Sequence, residues 1–374
     1  MEVGYSRKLH YAAVLMKNLY QLALGILVWW LLGAGFGLGE TSDNGFIGKW
    51  YFAGDEWEGT IRYLDAAKFG FFGMIVVFSI NIPCVEKVQL TVQMLYTGFI
   101  MAFAYPVIVA WGWGEGWLYD REKNFRDPGG CGTIHLLAGA WGLMAVFIGG
   151  KRHNYEPSQF KTSSPTIISL GLFLFAIGQF MVTMSQAGDL GSAMKALWNS
   201  WLAGGSCCLT VTILGTLRIK DLDWTINTAL EGFIAGVIAV ASCATNTEGW
   251  DAFCIGWFVG IFVAAAIRLE RWFKVDDVAH TIAWQFVGPF IGVILCGFFD
   301  QTEGVFHHGN GKQLGIQVLG AVVISAWGFF FSAIMFGVLR VLNLLRIPDE
   351  VQDNGLMSAI VSWTGFKSAP KVIS

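Results

Sequence analysis

Two residues in the first half of the chain have the chemistry to bind a small cation and exchange a proton. His135 lies in an uncharged apolar run, GTIHLLAG, and Asp127 stands eight residues before it in the sequence DPGG. An Asp followed by Pro is a good helix N-cap with Pro at the first helical position, so His135 should lie roughly 12 Å further along the same helix. The alternative for His135 is a neutral side chain that bonds to a backbone carbonyl.

Trp113 belongs to a Trp- and Gly-rich segment, AWGWGEGW, just before this helix. A desolvated indole face can hold a cation with about 1–2 kcal/mol. The competing interpretation is an anchor at a membrane interface, because the chain contains 17 Trp and such rings collect there.

The elements that must position these residues are membrane-spanning helices. Of the 374 residues, 55% are hydrophobic and only 14% are charged, whereas a soluble domain has about a quarter charged residues. A span needs about 20 mostly apolar residues, and ten segments qualify. They are approximately 19–38, 61–80, 90–112, 132–150, 166–186, 197–217, 225–244, 251–268, 278–299 and 314–341. The fold class is therefore all-α, a polytopic transmembrane bundle of about ten helices.

The chain divides into an N-terminal segment (1–18), one membrane domain (19–341) and a C-terminal tail (342–374). With ten spans both termini lie on the same side, where Lys and Arg are about twice as frequent as on the other. This bias predicts that both termini are cytoplasmic, or face the matrix in a mitochondrion. The sequence is compatible with the plasma membrane and with the mitochondrial inner membrane.

Several function classes are excluded or disfavoured. The net charge is −3 with no basic tract, which argues against nucleic acid. The seven Cys form no CxxC pair and read as small buried hydrophobes, so we expect no metal site. No nucleophile–base constellation, P-loop or dinucleotide motif occurs, so we expect neither an enzyme nor a cofactor.

Three segments resemble the ammonium transporter family (Amt/Mep/Rh). The first runs from Tyr105 to Arg152 and contains YPVIVAWGWGEGWL, DPGGCGTIHLLAGAWGL and IGGKR. The second is EGFIAGVIAV, which leads to KVDD, and the third is LRIPDEVQDNGL near the C-terminus. The resemblance extends over nearly the whole chain.

The resemblance implies a homotrimer with a narrow apolar pore in each subunit, built from two inverted repeats of five helices. It places Trp113 and Asp127 at an outer vestibule that holds ammonium, Phe71 at the first of two stacked gate rings, and His135 at the first of two mid-membrane pore histidines. The conducted species would be ammonia, with its proton handled separately.

Several positions depart from the family pattern. Gln285 falls at the second pore histidine, and Gln cannot shuttle a proton near neutral pH. Val182 falls at the second gate phenylalanine and Gln186 at a vestibule serine. Lys68, three residues before Phe71, should share its helix face and would repel ammonium near the vestibule.

The family usually has eleven spans, and the first is absent here, since the basic segment GYSRKLHYAAVLMKNL resembles the linker after it. Two hypotheses result. The chain conducts ammonium or ammonia through an altered pore, or it is a non-conducting structural subunit of a larger membrane assembly, for example in the mitochondrial inner membrane. Lipid, another subunit or a changed oligomer would fill the groove of the missing helix.

Overall fold

The computed structural model describes residues 1–55, 57, 59–119, 124–155, 163–218 and 226–355. Predictions for residues 356–374 of the tail lie outside the described residues. Within the described part of the chain, nine helices are long and apolar enough to cross a membrane, and a tenth apolar helix is shorter. The prediction of about ten membrane helices is confirmed.

The elements succeed one another as helices with little else between them. Their bounds are α1 Glu2–Tyr5, α2 Lys8–Leu38, α3 Gly59–Cys84, α4 Leu90–Gly112, α5 Cys131–Gly149, α6 Pro165–Ser185, α7 Leu190–Arg218, α8 Ile226–Val240, α9 Gly249–Trp272, α10 Ile282–Phe299, α11 Val305–His308, α12 Lys312–Val341 and α13 Asp349–Asn354. A short antiparallel hairpin, β1 Glu40–Thr41 with β2 Gly48–Lys49, comes after α2.

Several predicted boundaries differ from the structure, among them the start of α7, which lies at Leu190 and not at residue 197. Two others have a clear structural reason. Helix α2 begins at Lys8, well before the predicted start at residue 19, because its early turns bury the polar side chain of Lys17, which hydropathy alone would leave in water. Helix α8 ends at Val240, earlier than the predicted 244. The next residues turn back so that Ser242 can donate to Asp127 (3.0 Å).

Glycines allow the helices to approach at backbone distance, as expected where lipid supplies no hydrophobic drive between them. A Cβ on Gly139 of α5 would lie 2.1 Å from the carbonyl oxygen of Gln285 in α10. A Cβ on Gly236 of α8 or on Gly256 of α9 would meet the Ala203 carbonyl oxygen of α7 at 2.2 and 2.1 Å. These contacts join α5 to α10, and both α8 and α9 to α7, at backbone distance.

Ion pairs and polar loops lie at the two ends of the bundle. At one end, which we call the inner end, Arg7 donates to the Gln352 carbonyl (2.7 Å) and Arg152 pairs with Asp276 (2.7 Å). The N-terminal segment and α13 therefore lie at the same end, as an even number of spans requires. The opposite, outer end carries the β-hairpin and a cavity.

Candidate functional site

The outer end contains a cavity of about 710 Å³. Trp113, Asp127 and Gln186, three of the residues that the resemblance places at a vestibule, line it. Among its described lining residues, four are acidic and two are basic: Glu40, Asp65, Glu115 and Asp127 against Lys68 and Arg126. A cleft with an excess of one charge raises the local concentration of the opposite ion, so this cavity favours cations.

Aromatic rings form one wall of the cavity. The indole Nε1 of Trp113 donates to the Asp127 carbonyl oxygen (2.8 Å), which fixes the orientation of the ring. Its ring centroid lies 5.1 Å from that of Phe69 and 5.8 Å from that of Phe72. Phe69 also lines the cavity, so two ring systems are available for cation–π contact.

Asp127 is buried and holds the start of α5. Its Oδ2 accepts from the backbone N–H of Gly132 (3.0 Å) and of Thr133 (2.7 Å) and from the Thr133 hydroxyl, and Oδ1 accepts from Ser242. Burial raises the pKa of Asp127 to about 6, although these hydrogen bonds favour the charged form. The prediction that Asp127 is the N-cap residue is corrected, because α5 begins at Cys131 after a turn with Gly130 at φ +75°.

His135 is completely buried, and side-chain amides contact both of its ring nitrogens. Nε2 lies 2.8 Å from Oε1 of Gln179, and Nδ1 lies 2.9 Å from Oε1 of Gln285. The amide of Gln179 is oriented by the Gly129 carbonyl, which accepts from its Nε2 (2.8 Å). A carbonyl can only accept, so Nε2 of His135 must carry a proton.

The amide of Gln285 can adapt to the protonation state of His135. Its Nε2 lies 2.9 Å from the Ser79 hydroxyl, which can donate or accept. With Oε1 towards Nδ1, Gln285 accepts from a charged imidazolium. With the amide rotated, it donates to the neutral ring and accepts from Ser79. Gln285 therefore satisfies both forms of His135, but it cannot titrate itself.

His135 and Gln285 occupy equivalent places in two halves of the bundle. Each lies in a π-helical turn at the start of its helix, Cys131–Leu136 in α5 and Ile282–Val287 in α10. Each stands eight residues after an aspartate that accepts from the backbone N–H groups of that turn. Asp277 accepts from Ile282 (2.8 Å) as Asp127 does from Gly132. The equal spacing of eight residues between aspartate and central residue supports an inverted repeat, and this spacing can be read directly from the sequence.

The residues at the two predicted gate positions, Phe71 and Val182, do not line the cavity. The side chain of Phe71 is 58% exposed on the outside of the bundle, so its assignment as a gate residue is corrected. Phe69 precedes it by two residues, which is about 200° around a helix, and takes the inward position. Val182 is buried on α6, one turn after Gln179.

Lys68 lies inside the cavity, in contrast to Phe71. Its Nζ donates to Oε1 of Gln186 (2.9 Å) and pairs with Asp65 (3.2 Å). The prediction that Lys68 and Phe71 share a face is therefore wrong, although the expected positive charge at the vestibule is present.

The sequence interpretation missed Gln179, Phe69, Ser79 and Ser242. Gln179 had a usable signal, because it is the one amide within the apolar stretch LFAIGQFMV. Phe69 had no such signal. All four residues from Phe69 to Phe72 are Phe or Gly, so every face of that stretch is apolar.

Comparison with known proteins finds similar sequences over nearly the whole chain. The family model described as Ammonium Transporter Family matches residues 1–361. Ammonium transporter 1 member 1 of Solanum lycopersicum is 25% identical over 92% of this chain and 78% of its own length. Ammonium transporter 1 member 2 of Oryza sativa subsp. japonica is 26% identical over 92% of this chain and 77% of its own length.

Solved structures share the fold. The structure titled Sensor Amt Protein has a TM-score of 0.85 with 24% identity, over 96% of this chain and 92% of that chain. Mep2 of Saccharomyces cerevisiae has a TM-score of 0.78 with 24% identity, over 93% of this chain and 83% of that chain. At this level of identity the likeness concerns the fold alone.

Proposed function

Because the chain belongs to the ammonium transporter family and is a multi-pass integral membrane protein, we propose that it moves ammonium or ammonia across its membrane through a narrow apolar path. The observation that carries this proposal is the cation-favouring cavity at the outer end. Its Asp127 organises the start of α5, the helix that bears the buried His135.

Two features make this path slower than one with a histidine pair. Gln285 stands where a second titratable ring would be, so this contact gives His135 no group to which it can pass a proton. The positive charge of Lys68 lies in the cavity and repels an incoming ammonium ion. Both features change the rate while they leave the cavity and the central histidine in place.

Flux in liposomes tests the proposal. Purified protein should collapse an imposed ammonia gradient faster than empty vesicles between about pH 6 and 8, read by an internal pH dye. His135→Ala should change this flux, because it removes the titratable side chain of the central hydrogen-bond chain. Phe71→Leu, on the exterior of the same bundle, is the matched control and should match the parent.

The absence of any flux above empty vesicles would contradict the transport proposal. If His135→Ala has the same flux as the parent, His135 takes no part in the mechanism, but the transport proposal itself still stands.

We further propose that the chain assembles as a homotrimer or within a larger membrane assembly. Cross-linking in mild detergent distinguishes these two forms of assembly.

The second candidate function is a non-conducting structural subunit of a larger membrane complex. The observation that favours it is the saturation of both ring nitrogens of His135 by Gln179 and Gln285, which leaves no free ring nitrogen for ammonia. It predicts no ammonia flux together with a stable hetero-oligomer of defined stoichiometry. A conducting homotrimer would exclude it.

A further inference from the structure

The ammonium group of Lys68 is bound inside the outer cavity by three different kinds of partner. Its Nζ lies 4.6 Å from the centroid of the Phe69 ring, donates to the Gln186 amide oxygen at 2.9 Å and pairs with the Asp65 carboxylate at 3.2 Å. Its side chain is only 19% exposed. The lysine therefore points into the protein and does not extend into water.

These partners have the chemistry that a small ammonium ion needs. A ring face attracts the charge, a neutral amide oxygen accepts one N–H, and a carboxylate compensates the charge. The Lys68 side chain ends in a –NH₃⁺ group, which differs from free ammonium by one alkyl substituent. The Trp113 ring, 5.1 Å from Phe69, extends the same aromatic wall.

We propose that the site formed by Phe69, Gln186 and Asp65 binds primary ammonium groups, and that Lys68 occupies it until an external cation displaces it. One part of this inference rests on the proposed transport function: Lys68 sets the apparent affinity of transport for ammonium. The site itself is a binding property that can be measured without transport.

Displacement is required because one site cannot hold two positive charges. Two unit charges about 4 Å apart repel each other even in water, and more strongly in a cavity with low-dielectric walls. Lys68 can leave at low cost, because its long flexible stem can turn into the open cavity and hydrate its charged end. Ammonium and the lysine therefore compete for the same three partners.

A labelling experiment on the unmodified protein tests the competition. A water-soluble amine-reactive reagent is applied in detergent at fixed pH and ionic strength, in ammonium chloride or in sodium chloride. Mass spectrometry then measures the labelling ratio of Lys68 to Lys49, an exposed lysine of the outer hairpin that does not line the cavity. The ratio corrects for reagent consumed by ammonia.

We expect ammonium to raise the Lys68 to Lys49 ratio several-fold over sodium, because displaced Lys68 is more accessible. An equal ratio in the two salts overturns the proposal. Methylammonium should act like ammonium, and tetramethylammonium, which has no N–H donor, should act like sodium.

Flux variants test the consequence for affinity. Lys68→Met keeps the apolar stem and removes the charge, so the ammonium concentration at half-maximal flux should fall about tenfold, equivalent to 1.4 kcal/mol. Lys49→Met removes a charge from the same end of the molecule and should leave that concentration unchanged. An unchanged value in a conducting Lys68→Met protein overturns the role in affinity. If neither protein conducts, the transport proposal fails, and the labelling ratio still decides the site.

Discussion

At the centre of the bundle, the partners of His135 decide which proton positions are available. Gln179 is locked by the Gly129 carbonyl and always accepts from Nε2, whereas Gln285 can turn its amide because Ser79 tolerates either orientation. The ring can thus be neutral or charged without a broken hydrogen bond. Neither glutamine can carry the proton further, so these two contacts allow His135 to bind a proton but not to pass it on.

Gln179→Leu should destabilise the protein, because it leaves the Nε2–H of His135 and the Gly129 carbonyl without their partner in a buried site. Each unsatisfied buried group costs about 1–3 kcal/mol. Thermal unfolding in detergent measures the change in Tm. Met181→Leu, on the exposed face of the same helix, is the control. Equal Tm values for the two variants would show that the Gln179 contacts contribute nothing.

Asp127 gives the outer site a pH dependence of predictable sign. Its pKa is raised from 3.8 to about 6 by burial, so the folded state binds the proton more tightly than the unfolded state. Its contribution to stability is therefore full below about pH 4 and is lost as the pH rises through about 6. Asp127→Asn removes this ionisation, while its amide can still donate to Ser242. In the parent, Tm should decrease between about pH 4 and 6, and in Asp127→Asn this decrease should be absent. If the variant still shows the decrease, another titrating group causes it.

At the scale of elements, the two π-helical turns position the central residues. A π turn fits an extra residue into the helix and rotates the residues after it, and such turns often occur at functional sites. Here one π turn brings His135 and the other brings Gln285 to the same contact, from helices that approach at Gly139. Asp127 and Asp277, which lie four and five residues before these turns, accept from backbone N–H groups at the start of the turns.

Gly139→Ala tests this helix approach. The added Cβ would lie 2.1 Å from the Gln285 carbonyl oxygen, which is backbone and cannot move aside alone. We expect a destabilisation of about 1–3 kcal/mol and a disturbed His135–Gln285 contact. Gly149→Ala on the same helix has no heavy atom within 4 Å of the new Cβ and should keep the parental Tm. Similar Tm values for both variants would mean that α5 and α10 do not meet at Gly139.

At the scale of the whole molecule, a buried ion network joins segments distant in sequence at the inner end. Glu86 accepts from Arg7 (2.9 Å) and pairs with Arg152 (3.6 Å), which in turn pairs with Asp276 (2.7 Å). Arg7 also donates to the Gln352 carbonyl of α13. The network ties the N-terminal segment, three inter-helix connections and the C-terminal helix into one end.

Asp276→Asn should cost about 3–5 kcal/mol, because breaking a buried pair leaves Arg152 and Lys87 undercompensated. Burial alone would raise the pKa of Asp276, but the charges of Lys87 and Arg152 lower it below 3.8. Its contribution is therefore present above about pH 4 and lost as the pH falls through the lower folded value. Asp349→Asn, at an exposed pair, should leave Tm unchanged; an equal loss in both variants would argue against the buried network.

The sequence by itself determined the all-helical membrane architecture and the approximate spans. Bilayer thickness sets the length of an apolar run, and that length can be read locally. It also located His135, because a polar residue in an apolar run is conspicuous whatever the fold, and it located Trp113 and Asp127 in the segments that precede this run.

Only the tertiary structure decided which side of each helix faces the path. A buried membrane helix is apolar all round, so its periodicity does not say whether Phe69 or Phe71 points inward. Gln179, the partner of His135 that was not expected, comes from a position 44 residues away, and no local pattern links the two. The placement of Lys68 against Phe69, Gln186 and Asp65 likewise depends on packing between α3 and the end of α6, which no local pattern specifies.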